Sequence, residues 1–267
     1  MTVISSLHNP RVKRALKLRQ SRARRQLGRI LIEGARELTR AIEAGVVIEE
    51  VLYLPDAIDS SDGRHACDLL PAETQRWEVS PSVWEKLTVR GEAAELLAVA
   101  EPPNWSFANL NLPAQPLVLV VEAIEKPGNL GALMRSADAA GVDAVLLADP
   151  LGDPLSPNVI RASLGAIFTL PIACGANAEV REFLESRATP IYAARLQTSR
   201  DVWDVDLSRG AAIVVGNEAR GLSDFWHDVP AVRLPMRGHV DSLNVSAAAT
   251  ALLYEAVRQQ RNSRRDA

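Results

Sequence analysis

Three short polar stretches hold the residues best suited to chemistry: "EKPGNLGALMRSADAAG" (125–141), "VVGNEARGLS" (214–223) and "LPMRGHVDSLNVSAAATALLYEAVRQ" (234–259). In the first, two glycines and a proline shape a turn, and Asn129 suits the N-cap of a helix whose apolar stripe is Leu130, Leu133, Met134 and Ala137. At about 100° per residue, Arg135 projects roughly 140° from that stripe. Its guanidinium is therefore free to reach a site, or it is simply a surface arginine. In the second stretch, Gly216 ends a strand, Asn217 and Glu218 stand at its rim, and Gly221 opens a turn. A plain strand-to-helix turn explains the glycines but not Glu218. In the third, Ser242 can cap a helix and Asn244 lies in its first turn. Unpaired N–H groups and the positive end of the helix dipole favour anionic or carbonyl partners there. Val245, Ala249, Leu252, Leu253, Ala256 and Val257 recur at helical spacing. That alanine-rich face packs against either its own domain or a partner subunit.

These stretches need a scaffold. The runs "PLVLVVEAI", "VDAVLLAD", "TPIYAAR", "AAIVVGN" and "AVRLPM" read as buried strands, with helices at 130–140, 177–186 and 243–260 between and after them. A mostly parallel sheet with helices on both faces follows, and ligands of such sheets gather at the carboxyl ends of the strands, where the three stretches fall. The proline-punctuated "EPPNWSFANLNLPAQP" marks a linker, 102–116, between a first domain, 1–101, and a second, 117–267. The first domain reads as a smaller α/β unit: a basic helix over 10–26, the strand "RILIEG", a helix over 35–44, the strand "VIEEVLYL" and the run "AAELLAVA".

With 267 residues, 47% hydrophobic and 24% charged, the chain can bury a sizeable core. It has neither an apolar run of about eighteen residues nor a signal-peptide pattern, so we expect a cytoplasmic protein without a membrane partner. Cys67 and Cys174 match no metal spacing and read as reduced thiols; no metal site is expected. The Lys-Ser/Thr of a phosphate loop and a G-x-G-x-x-G are both absent, which argues against ATP hydrolysis and nicotinamide chemistry. The net charge is only −3, yet Met1 to Arg29 holds nine Lys or Arg and no acid. Such a block marks either a polyanion-facing segment or a solvated helix face. The tail "RQQRNSRRD" is a weaker basic stretch.

Together the three stretches resemble the motifs of the SpoU/TrmH family of RNA 2′-O-ribose methyltransferases, within the SPOUT superfamily. That family spaces an asparagine and an arginine as Asn129 and Arg135 are spaced, then carries Gly-Asn-Glu-Gly-x-Gly-Leu-Ser, and last Pro-Met-x-Gly followed by Ser-Leu-Asn-Val-Ser. The chain departs at Ala219, where glycine is usual, a change expected to restrict the loop. The first half, "ISSLHNPRVKRALKLRQ…LIEGARELTRAIEAG", is similar to the substrate-binding domain that many members place first.

The resemblance implies an α/β fold: a C-terminal SPOUT methyltransferase domain with a trefoil knot, preceded by the smaller RNA-binding domain. It implies S-adenosylmethionine as cofactor, held by Gly216, Asn217, Leu234, Met236 and Leu243, and a homodimer with each site completed across the interface. Arg135 is nominated to bind the target phosphate and stabilise the incipient alkoxide, since arginine is too basic to serve as a simple general base. Asn129, Glu218, Ser242 and Asn244 would orient it. Arg11, Lys13, Arg14, Lys17, Arg22, Arg24 and Arg25 are expected to meet RNA phosphates. Arg161 is an RNA contact or a structural ion pair. Ribosomal RNA is the expected substrate. The alternatives are transfer RNA, or a catalytically silent RNA-binding assembly factor of the same fold.

Overall fold

A computed structural model of the chain describes residues 3–88, 94–197 and 199–263. The start of the basic block (1 and 2), the first residue of "AAELLAVA" and the end of the basic tail (264–266) lie outside these residues. The described residues form two compact units: Met1–Asn104 with Asp153–Thr169, and Trp105–Gly152 with Leu170–Ala267. In chain order the first elements are α1 (Pro10–Lys17), α2 (Ser21–Leu27), β1 (Ile30–Glu33), α3 (Ala35–Glu43), β2 (Ile48–Tyr53), α4 (Ser61–Leu69), β3 (Gln75–Glu78), α5 (Pro81–Leu87) and β4 (Leu96–Ala100). Then follow β5 (Leu117–Glu122), α6 (Pro127–Ala140), β6 (Ala144–Ala148), α7 (Pro157–Ala162), α8 (Ala166–Thr169), β7 (Ile172–Gly175) and α9 (Asn177–Ser186). The last are β8 (Ile191–Ala194), β9 (Arg200–Asp201), β10 (Ala211–Val215), β11 (Ala231–Arg233) and α10 (Val245–Ser263).

In the first unit the sheet order is β1-β4-β2-β3, antiparallel except where β2 meets β3. Val12, Ala15 and Leu18 of the basic segment are fully buried against Leu31, Leu52, Leu97 and Val99. The single helix expected over 10–26 is in fact two, because the Arg24 guanidinium bonds the Leu18 carbonyl (2.6 Å) and folds α2 back on the end of α1. The segment Asp153–Thr169, which the sequence places among the second-domain motifs, belongs to this unit. Arg24 pairs with Asp153 (2.6 Å), Arg40 donates to the Leu164 carbonyl (2.5 Å), and Arg161 faces Glu33 (3.4 Å).

The second unit holds a sheet ordered β7-β6-β5-β10-β8-β11-β9 with every pair parallel, as expected. A strand in such a sheet is buried on both faces, which is why "LVLVVE" and "AAIVV" are almost wholly apolar. Val118, Val120 and Val214 pack with Val180 and Leu184 of α9 on one face, while α10 packs on β10, β5 and α6. Ala249 and Ala256 of α10 carry only methyl groups, which lets α6 approach closely enough for Ser136 Oγ to meet Thr250 Oγ1 (2.6 Å) and for the Tyr254 hydroxyl to donate to Ala139 O (3.2 Å). The alanine face is thus taken up by its own domain, and Tyr254 stays exposed. Burial pushes the Cys67 and Cys174 thiols above their ordinary range, which keeps both protonated at neutral pH.

Candidate active site

A cavity of about 700 Å³ opens at the carboxyl ends of β8, β10 and β11, where α/β sheets bind ligands. Its walls are residues 194–197, 215–222, 232–234 and Met236, with 242–245 and the first turns of α10 behind them. Lys126 and Asn129 close the side nearest α6. All five residues expected to hold a cofactor line it: Gly216, Asn217, Leu234, Met236 and Leu243. So do Asn129, Glu218, Ser242 and Asn244, whereas Arg135 does not.

The loop after β10 is shaped by its own backbone. Asn217 and Gly221 exchange two main-chain hydrogen bonds (3.0 and 2.8 Å), and Gly221 has φ +71°, a conformation that favours glycine. Asn217 Oδ1 accepts from the N–H groups of Ala219 (2.9 Å) and Arg220 (3.2 Å), while its Nδ2 donates to Ala123 O (2.9 Å). Gly216 is fixed for a different reason: a Cβ there would lie 2.5 Å from Gly221 C and Leu222 N, both backbone atoms. Ala219 is not among the positive-φ residues, so its methyl does not strain the loop. The change from the family's usual glycine therefore costs the loop no backbone strain.

The three polar stretches converge through amide side chains. Ser246 donates from its N–H (3.0 Å) and hydroxyl (2.6 Å) to Asn244 Oδ1, Asn244 Nδ2 donates to Asn129 Oδ1 (3.1 Å), and Asn129 Nδ2 donates to Glu218 Oε1 (2.7 Å). Each bond orients the next group, so the run ends with the Glu218 carboxylate accepting from the amide nitrogen of Asn129. Two capping expectations change as a result. Lys126, not Asn129, is the N-cap of α6, with Pro127 at the first helical position, where a fixed φ and a missing N–H cost nothing. Asn244, not Ser242, caps α10, and the Ser242 hydroxyl turns instead to Asp241 (3.2 Å).

A supporting cluster escaped the sequence reading. Glu122, 2% exposed, accepts from Asn177 Nδ2 (2.7 Å), Ser223 N (2.9 Å) and Ser223 Oγ (2.5 Å), and Trp226 Nε1 donates to Asn177 Oδ1 (3.1 Å). The only signal was an acid closing an otherwise apolar strand. By holding Ser223, Glu122 anchors the far end of the 216–222 loop. Glu122→Ala should lower unfolding stability by about 1–3 kcal/mol, because it removes the buried carboxylate that accepts from half-buried Asn177 and from Ser223. A denaturant midpoint equal to that of the unaltered chain would remove this role.

The remaining basic residues divide sharply. Arg11 pairs with Glu50 (2.7 Å) and lies over the Trp77 ring (3.9 Å to its centroid), and Arg14 pairs with Glu49 (2.5 Å) and Glu50 (3.3 Å). Although partial burial opposes it, Arg29 and Arg14 hold the Glu49 carboxyl below its ordinary range. Arg24 is buried on Asp153, and of the two readings of Arg161 the structure supplies the ion pair, with Glu33. A guanidinium buried on a carboxylate is not offered to a phosphate, which corrects the expectation for Arg24. Lys13, Lys17, Arg22 and Arg25 are exposed, with no ion-pair partner among the described residues. Arg135 is likewise exposed on α6 without a polar partner among them.

A parallel sheet with a ligand cavity at its strand ends, lined by a Gly-Asn-Glu loop and an Asn-capped terminal helix, defines the class of protein. Residues 116–254 match the SpoU rRNA methylase family and residues 9–98 an MRM3-like substrate binding domain. The chain belongs to the SpoU rRNA methylase family. It is 32% identical to the 23S rRNA (uridine(2479)-2′-O)-methyltransferase of Streptomyces viridochromogenes, covering 90% of this chain and 86% of that protein. A crystal structure of an RNA 2′-O ribose methyltransferase superposes with a TM-score of 0.85 at 38% identity, covering 97% of this chain and 100% of that one. The SpoU methyltransferase AviRb from S. viridochromogenes, in complex with AdoMet, superposes at 0.86 with 30% identity, covering 95% and 99%.

Proposed function

We propose that this chain transfers the methyl group of S-adenosylmethionine to a ribose 2′-hydroxyl of ribosomal RNA. One observation carries the reading: three stretches far apart in sequence join in a single amide relay on the wall of the cavity. Relatives named for 2′-O-methylation of 23S rRNA, and a close structural neighbour bound to AdoMet, favour this substrate over transfer RNA. The cavity suits the cofactor. Val232, Leu234, Met236 and Leu243 offer apolar contact to a purine, and residues 234–244 form neither helix nor strand, so their backbone groups are open to a ligand. Bound there, the sulfonium supplies a methyl group that needs no metal for activation.

The protein's own part is positioning and charge. Asn129, Glu218 and Asn244 hold one wall rigid, and Arg135 steadies negative charge as it develops on the ribose oxygen. Because Arg135 stands off the cavity of its own chain, we assign it to the site of a second copy in a homodimer. Exposed Tyr254 on α10, whose hydroxyl meets Ala139 on the same helix as Arg135, supports that face as the interface. We also propose the trefoil knot. Its support is that α10 follows β11, near one edge of the sheet, yet packs on α6, β5 and β10.

Methyl-transfer assays on ribosomal RNA from cells lacking the gene, with 2′-O-methyl mapping, test the reading. Incorporation at a single ribose is expected. Donor binding by calorimetry without any transfer would instead support the silent assembly factor, and the unstrained Ala219 removes the one hint in its favour.

RNA affinity should come from the four unpaired cations of the basic block. Replacing Lys13, Lys17, Arg22 and Arg25 with glutamine should flatten the plot of log affinity against log salt by roughly 3, at about 0.7 per lost single-strand phosphate contact. Arg11→Ala with Arg14→Ala should leave that slope alone and cost stability. The opposite pattern would refute the division. Deleting residues 1–28 is not a fair test, because Val12, Ala15 and Leu18 belong to the core.

A further inference from the structure

Four cationic side chains line the cavity: Lys126, Arg195, Arg220 and Arg233. Two are already committed. Arg195 donates to the carbonyls of His227 (3.2 Å) and Val229 (2.9 Å), and Arg233 pairs with Asp201 (2.7 Å). The side chains of Lys126 and Arg220 are exposed and have no hydrogen-bond or carboxylate partner among the described residues. Glu218, the acid that lines the same cavity, does not claim them, since it takes its bond from Asn129. Their backbones are nevertheless well fixed. Lys126 caps α6 ahead of Pro127, and Arg220 sits inside the short loop that the paired Asn217 and Gly221 close.

We propose that Lys126 and Arg220 seat the backbone phosphates that flank the target nucleotide at the mouth of the cavity. This rests on the methyl-transfer reading above and extends it to substrate positioning. The chemistry requires such a seat. The 2′-oxygen is carried by the carbon next to the one bearing the 3′-phosphate, so a pocket that offers the 2′-oxygen to a donor must accept that anion too, with the 5′-phosphate one sugar away. Two charges arrive, and two uncommitted cations stand on the wall. Arg135, to which the motif alone gave the phosphate, is not on that wall in a single chain. A second anion could claim the same cations, namely the carboxylate of S-adenosylmethionine, and the test separates the two.

Lys126→Gln, Arg220→Gln and Arg220→Lys are each compared with the unaltered enzyme. The readouts are KM for a ribosomal RNA fragment across a salt series and calorimetric affinity for S-adenosylmethionine. Each glutamine variant should raise the RNA KM roughly five- to tenfold near physiological salt and make the salt slope shallower by about 0.7–1. Arg220→Lys should recover most of the loss, and donor affinity should not move. Weakened donor binding with an unchanged RNA KM would overturn the proposal in favour of the donor carboxylate. No change in either quantity would overturn it outright. If the unaltered enzyme transfers no methyl group, the functional reading fails on that result alone. The phosphate contacts are then judged by the salt slope of direct RNA binding, where an unchanged slope in the variants overturns them.

Discussion

Arg135→Lys is expected to lower turnover on ribosomal RNA by about 10²–10³-fold, the size seen when one preorganised donor to a developing oxyanion is lost. Affinity for S-adenosylmethionine should stay the same, because the role assigned to Arg135 is on the ribose oxygen and not on the donor. An ammonium keeps the charge but not the planar, forked donor geometry, so charge alone will not rescue the reaction. The dimer reading adds a sharper result. Arg135→Ala and Asn244→Ala chains, each inactive alone, should regain about a quarter of normal activity when mixed and allowed to exchange: half the dimers are then mixed, and each mixed dimer has one intact site. Near-normal turnover of Arg135→Lys would dispose of the charge role. Failure of the mixture to recover activity would dispose of the shared site while leaving the charge role standing.

Gly216→Ala should have the second large effect. The added methyl would sit 2.5 Å from two main-chain atoms of the same loop, with no flexible side chain to yield. The 216–222 backbone must shift, and a displacement on the order of 1 Å in a site of this kind costs about 10²-fold in function. The loss should appear first as weakened S-adenosylmethionine binding in calorimetry. Ala219→Gly, three residues away, is the contrast: the residue is not held at positive φ, so restoring the family's usual glycine should leave donor affinity unchanged. Donor binding by Gly216→Ala within about twofold of normal would show that the loop has room the distances deny, and the cavity would need another explanation.

Much of the site was legible because its residues lie in continuous stretches. Gly216, Asn217, Leu234, Met236 and Leu243 could be nominated from motif resemblance, and all of them line one cavity. The long apolar runs gave β5, β6 and β10, and the 177–186 helix was placed at its observed bounds. Short elements were missed: β3 and β9 are polar, and β7 is only four residues long, too little for a period to register. Asn129 was misread as a cap because its real partner, Glu218, lies 89 residues further on.

Sequence alone therefore determined the elements that carry their own signal: buried parallel strands, the helix spacing, and three polar stretches of one family's chemistry. Tertiary structure decided what each charge does. Nine basic residues within the first 29 look alike in sequence, yet Arg24 is neutralised by Asp153 from 129 positions away while Lys13, Lys17, Arg22 and Arg25 face solvent. Ion pairing is a contact between distant parts of a chain, and it depends on desolvation and reach that only the folded backbone sets. The same reason placed Asp153–Thr169 in the first unit and left Lys126 and Arg220 uncommitted at the cavity mouth.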